Sequence, residues 1–104
     1  MVYALTMMIP SIPDVDGFDW SRGNDKKIES KHGVKPLEVE QVFFNMPILT
    51  YSDDKHSVNE ERLYVLGVTD AGRRLFVAFT IRNRMIRPIS ARNMSRRERR
   101  MYKQ

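Results

Sequence analysis

A chain of 104 residues without cysteine is one domain with a single modest core, and it has neither a disulfide framework nor a thiolate metal site. Its net charge of +5 conceals an asymmetry: residues 1–61 carry 6 Lys/Arg against 11 Asp/Glu, residues 62–104 carry 12 against 2, and 11 of those 12 cations are Arg. Arg grips phosphate or carboxylate bidentately, so the C-terminal half reads as a footprint for phosphate or an acidic protein partner, beside the plainer reading of a solvated basic surface. The apolar opening, Val2–Ile9, is far short of a membrane span of about 20 residues and lacks the basic start of a secretory signal, so a soluble cytoplasmic protein without membrane attachment is expected.

Residues 1–15 read as an N-terminal extension interrupted by Pro10 and Pro13, and residues 16–104 as the single domain. A first helix is predicted over Ser21–His32, with Ser21 as its cap and Gly33 as the left-handed residue that ends it. Pro36 suits the first turn of a second helix, whose apolar face is Leu37, Val39, Val42, Phe43 and Met46. Asn45-Met46-Pro47 stops it, Ile48–Tyr51 reads as a short strand, and residues 52–57 as an exposed loop.

Three strands follow: Arg62–Thr69, Arg74–Arg82 and Ile86–Arg92. The turn Thr69-Asp70-Ala71-Gly72-Arg73 suits a three-residue hairpin loop with a glycine bulge, which places Leu63, Val65 and Gly67 on one face with Leu75, Val77, Phe79 and Ile81. For the second hairpin, a three-residue loop keeps Met85, Ile89 and Ala91 on that apolar face, with Arg87 as the exception. A two-residue loop instead puts Pro88, Ser90 and Arg92 there, and the former is preferred because a one-residue slip inverts every side chain. Glu60, Arg62, Tyr64, Thr80, Arg82, Ser90 and Arg92 then share the opposite face. Ser95 and Glu98 form a capping-box signature for a short cationic helix over Arg96–Lys103. The fold class expected is α+β, two N-terminal helices packed on an antiparallel sheet with a short C-terminal basic helix.

Neither His32 nor His56 has a partner at metal-ligand spacing, the glycines are isolated rather than gathered in a phosphate loop, and nothing marks a nucleophile elbow; no metal or cofactor is expected. RNA cleavage, by contrast, needs little apparatus, because the ribose 2′-hydroxyl is the nucleophile and the protein supplies charge stabilisation and proton transfer. On that reading the catalytic candidates are His32, Glu60, Arg62, Arg82 and Arg92, with Arg92 and Arg82 foremost, and Lys27, Lys31, Arg96 and Arg99 are the RNA-binding candidates. Each also has a plainer role: His32 as a helix-end residue, Glu60 and Arg62 in a structural ion pair with Arg82, and Lys27 and Lys31 as a solvated stripe.

The spaced set Phe18-Asp19-Trp20, Asn24, Lys27, Lys31-His32-Gly33-Val34, Glu40, Val42-Phe43, His56, Glu60-x-Arg62, Gly67, Gly72-Arg73, Phe79-Thr80-x-Arg82, Ile89-Ser90-Ala91-Arg92 and Glu98-x-x-x-Tyr102 resembles the BrnT family of bacterial toxins. Ser21 and Ile28 depart from that pattern, where Asp and Asn are common; Ser also caps a helix, and neither change removes a basic or acidic candidate for catalysis. The resemblance implies a RelE-like α+β fold, ribosome-independent RNA cleavage and growth arrest, which with the chemistry above makes the expected activity that of a metal-independent endoribonuclease. It further implies neutralisation by a BrnA-like antitoxin in a 2:2 heterotetramer that meets DNA only through the antitoxin. The alternative is a non-catalytic nucleic-acid- or partner-binding module built on the same basic face.

Overall fold

Alternating apolar residues in the second half of the chain fix the architecture. The computed structural model describes residues 14–57 and 59–102. It contains β1 (Gly17–Phe18), α1 (Asn24–His32), α2 (Pro36–Phe44), β2 (Leu49–Ser52), a single 3₁₀ turn at Asp54–His56, β3 (Leu63–Val68), β4 (Arg74–Arg82), β5 (Met85–Asn93) and α3 (Arg96–Met101). The strands form one sheet in the order β1-β5-β4-β3-β2. All neighbours are antiparallel except β1, which runs parallel to β5, so the sheet is mixed rather than wholly antiparallel. The α+β class is as the sequence indicates. The tail over Val2–Ile9 and the predicted helix end at Lys103 lie outside the described residues.

The first hairpin follows the expected register. Val65 pairs with Val77, Leu63 with Phe79 and Gly67 with Leu75, and all six are buried. Thr69 and Arg73 close the loop through the Thr69 amide to the Arg73 carbonyl at 2.9 Å, and the Gly72 amide donates to Thr69 at 2.9 Å. This inner face packs against Val39, Val42 and Phe43 of α2 and Ile28 of α1. The contact between α2 and β3 is so close that a Cβ on Gly67 would sit 2.6 Å from a Val42 methyl, which is why a residue without a side chain stands there.

The second hairpin differs from expectation. Its loop is a two-residue turn, Asn83-Arg84, with both residues left-handed (φ 54° and 63°), the geometry that matches the twist of the flanking strands. The parity that argued against this turn is restored further along by a bulge. Phe79 pairs with Pro88 and Ala78 with Ser90, leaving Ile89 as the extra residue. Ile86 and Pro88 therefore face the core before the bulge and Ala91 after it. Pro88 has no amide to donate, and it is accommodated beyond the short β1 pairing, which ends at Ile86. The consequence is that Arg87, expected on the apolar face, pairs with Thr80 on the outer one.

Three smaller corrections follow. Gly23, not Ser21, occupies the cap position of α1, because the Ser21 amide donates to the Asp19 carboxylate at 2.9 Å and its hydroxyl is engaged there too. Leu37 and Met46 are 64% and 70% exposed, so the buried face of α2 is only Val39, Val42 and Phe43. Val15, assigned to the extension, is buried in the main core. As expected, Gly33 ends α1 with φ 65°, its amide donating to Glu29, and Pro36 opens α2, where Glu38 accepts from the Lys35 amide at 3.0 Å.

The outer face is divided. At one end α3 covers it, with Leu66, Met94 and Tyr102 forming a small second core beside Phe76 and Tyr51. Tyr51, Tyr64 and Phe76 lie in a row with successive centroids 5.0 Å apart. The other end stays open. No helix among the described residues is long and apolar enough to cross a membrane.

Candidate ribonuclease groove

The open end is organised by α1, which packs beside β5. Asn24, in its first turn, donates through Nδ2 to the Asp19 carbonyl at 3.0 Å and the Pro88 carbonyl at 2.9 Å, so the helix start is tied to the strand just before the bulge. At its other end Arg73 donates to the Gly33 carbonyl at 3.1 Å and to Glu38 at 3.1 Å. Trp20 packs against the core and donates from its indole nitrogen to Glu40 at 2.9 Å. These ties fix the helix, whose Ile28 is buried while the exposed i, i+4 pair Lys27 and Lys31, with His32, lies on the side that looks across to Arg62 and β5.

A groove of about 340 Å³ runs between them, lined by Lys27, Ile28, Lys31, His32, Arg62, Ile89 and Ser90. A second hollow of about 210 Å³ shares Arg62 and Ile89 with it and is otherwise lined by His56, Asn59, Glu60, Thr80 and Arg87. The two therefore meet at Arg62 and at the bulged residue of β5. Oxygen-rich anions are the ligands this surface suits: three cations and an imidazole line the first hollow, with no carboxylate among its lining residues.

The candidates from the sequence separate into groups. His32, Lys27, Lys31 and Arg62 come together on the groove. Glu60 lies in the adjoining hollow, but both its oxygens are occupied by Arg82, whose Nε and Nη2 donate at 3.0 Å each. The Arg82 hydrogen bond holds the Glu60 carboxyl below its ordinary range, which makes it a weaker base. Arg92 stands elsewhere: Nη1 and Nη2 donate to Glu98 at 2.8 and 3.0 Å, and the guanidinium lies 4.1 Å from the Phe76 ring centroid. Burial pushes the Glu98 carboxyl up, but hydrogen bonds from Arg92 and the Ser95 amide outweigh it and hold the group low. Arg99 lines a separate hollow with Gly72, Arg74, Asn93 and Met94, and Arg96 projects from α3 into solvent. Neither lines the groove.

Arg62 and Arg87 contrast with the paired arginines. Arg62 Nε is buried without a hydrogen bond, and its nearest carboxylate oxygen, on Asp53, is 3.9 Å away. That Asp53 carboxylate is engaged by His56 Nδ1 at 2.9 Å. Arg87 makes no side-chain hydrogen bond or ion pair among the described residues. Sequence reasoning missed it because the loop length it favoured turned Arg87 inward; the signal that would have found it is Asn83-Arg84 as a two-residue turn followed by a proline-flanked bulge.

Fold and site together define a small α+β domain that presents two lysines, an arginine and a histidine along one groove, a surface that suits a polyanion. The family model described as ribonuclease toxin, BrnT, of type II toxin–antitoxin system matches residues 20–98. The chain belongs to this BrnT family, and membership implies RNA as substrate and an antitoxin as partner. No curated protein matches the chain.

Proposed function

We propose that the chain is a metal-independent endoribonuclease toxin that cleaves RNA in the groove between α1 and β5. The observation that carries this reading is the convergence of His32, Lys27, Lys31 and Arg62 on one groove with no carboxylate in its lining. The scissile phosphate sits against Arg62 and Lys27, whose charge stabilises the oxygens as negative charge builds on them. His32 takes the proton from the ribose 2′-hydroxyl, the 2′-oxygen forms its bond to phosphorus, and the bond to the 5′-oxygen breaks. Lys31 supplies the proton that the departing 5′-oxygen needs. The products are a 2′,3′-cyclic phosphate and a 5′-hydroxyl.

In this arrangement Arg82 and Arg92 are not the phosphate-binding groups. Arg82 restrains Glu60 beside the hollow, and Arg92 anchors α3 to the sheet. Arg96 and Arg99 belong to a basic surface set apart from the groove. That surface, with Arg97 and Arg100 also exposed, suits the BrnA-like antitoxin, bound as a 2:2 cytoplasmic complex that restrains growth arrest.

The test is cleavage of single-stranded RNA by the purified, antitoxin-free chain in excess chelator, beside a His32→Gln variant purified identically. Cleavage that survives chelator, leaves a cyclic phosphate and falls by about 10²-fold or more in the variant is expected. A folded wild-type chain that binds RNA without cutting it overturns the catalytic reading in favour of a binding module.

A further inference from the structure

The second hollow is a site in its own right. We propose that Arg87 and Arg62 form a phosphate subsite that holds the phosphodiester next to the scissile one, so the substrate is engaged through two consecutive phosphates. The inference rests on the RNA reading above and extends it. Three observations support it.

First, the hollow adjoins the cleavage groove and shares Arg62 and Ile89 with it. Arg62 thus stands between two pockets, where a guanidinium can bridge successive phosphates through its separate N–H groups. Second, Arg87 is a cation that the fold leaves without an ion-pair partner among the described residues, whereas Arg73, Arg82, Arg84 and Arg92 are each paired with a carboxylate. Third, Thr80 is 4% exposed and its Oγ1 is buried with no hydrogen bond within the chain. A buried hydroxyl left unpaired is costly, and Thr80 lines the hollow and pairs directly with Arg87, so the packing there satisfies neither group.

The nearby carboxylates are already engaged: Glu60 by Arg82, Asp19 by the Ser21 amide, and Asp53 by His56 Nδ1 with Arg62 Nε only at 3.9 Å. A monoanionic phosphodiester is the ligand that fits: it meets two guanidinium groups at the end of a groove already suited to the same chemistry. Base recognition is not required, which makes the subsite indifferent to sequence.

The experiment is binding of a fluorescein-labelled single-stranded oligonucleotide with 2′-O-methyl riboses to the full chain, read by anisotropy over a salt series. This probe lacks a free 2′-hydroxyl, so its binding does not depend on catalysis. For Arg87→Gln the affinity is expected to fall about tenfold, and the slope of log K against log salt to decrease by about 0.7, one phosphate contact on a single strand. Arg87→Lys should keep the slope. Thermal unfolding of each variant identifies any loss of fold. An Arg87→Gln variant that binds as tightly and with the same slope as wild type, while Lys31→Gln loses both, overturns the subsite. Wild-type binding with the expected slope, together with failure to cut natural RNA, overturns the ribonuclease and leaves the subsite standing. Absence of any binding by folded wild type overturns both.

Discussion

The two ends of the outer sheet face carry the same residue type and use it differently. Under α3, Arg92 is bonded through two nitrogens to Glu98 and stacked on Phe76, and Tyr102 beyond it is buried with its hydroxyl donating to the Pro47 carbonyl. At the open end, Arg87 has no paired carboxylate and Arg62 only a distant one. The first arrangement spends its charge on the fold, and the second leaves it for a ligand. The groove proposed for RNA thus lies away from the C-terminal helix, where the arginines are densest. On that proposal it is the partners of each guanidinium, not their number, that mark the site.

The sharpest way to break this comparison is to remove one arginine from each end. Arg62→Ala should lose RNA cleavage by about 10²-fold or more while the chain stays folded, because the group acts on charge that develops in the reaction. Arg92→Ala should show the reverse. It leaves Glu98 half-buried without its clamp and removes the contact with Phe76. Stability in urea is expected to fall by about 1–2 kcal/mol, with activity per folded molecule largely unchanged. Loss of activity in a folded Arg92→Ala chain would return Arg92 to the site and make the two ends one surface.

How much of this was legible follows from how locally each feature is determined. The first hairpin was readable because loop and strand parity agree: Thr69 to Arg73 closes in one way, and both strands then bury every second residue. The second hairpin was not, because two departures compensate. The short Asn83-Arg84 turn shifts parity and the bulge at Ile89 shifts it back, so Ser90 and Arg92 reach the predicted face by a different route. Arg87 lies between the two departures, and it alone among the arginines of β4 and β5 was misplaced. Helix ends show the same limit. Gly33 announces itself by its backbone needs, whereas Ser21 looks like a cap until Asp19 is seen to claim it. The convergence of His32 with Arg62 depends on where α1 crosses β5, which no local pattern encodes: strand parity puts Arg62 on the polar face, and only the packing of the helix brings His32 beside it.

The smallest effect expected, and the one that tests the structural end by itself, is on pH. Glu98 is held below its ordinary value of 4.5: burial alone would raise it, and Arg92 and the Ser95 amide reverse that. Glu38 at the α1–α2 junction is low for the same kind of reason, burial being outweighed by the Lys35 amide and Arg73. Between a depressed folded value and the unfolded one, the unfolded chain binds more protons. The stability these pairs contribute is therefore complete above the ordinary carboxylate range and is lost as pH falls through their folded values. Urea midpoints should stay nearly level from neutral pH down to the ordinary Glu value and decline below it. In Arg92→Ala the decline should be shallower, since Glu98 then titrates closer to its unfolded value while Glu38, Asp19 and the exposed Glu60 pair still contribute. Superimposable declines in the two proteins would mean that Arg92 does not hold Glu98 in solution, leaving it as free to meet phosphate as Arg87.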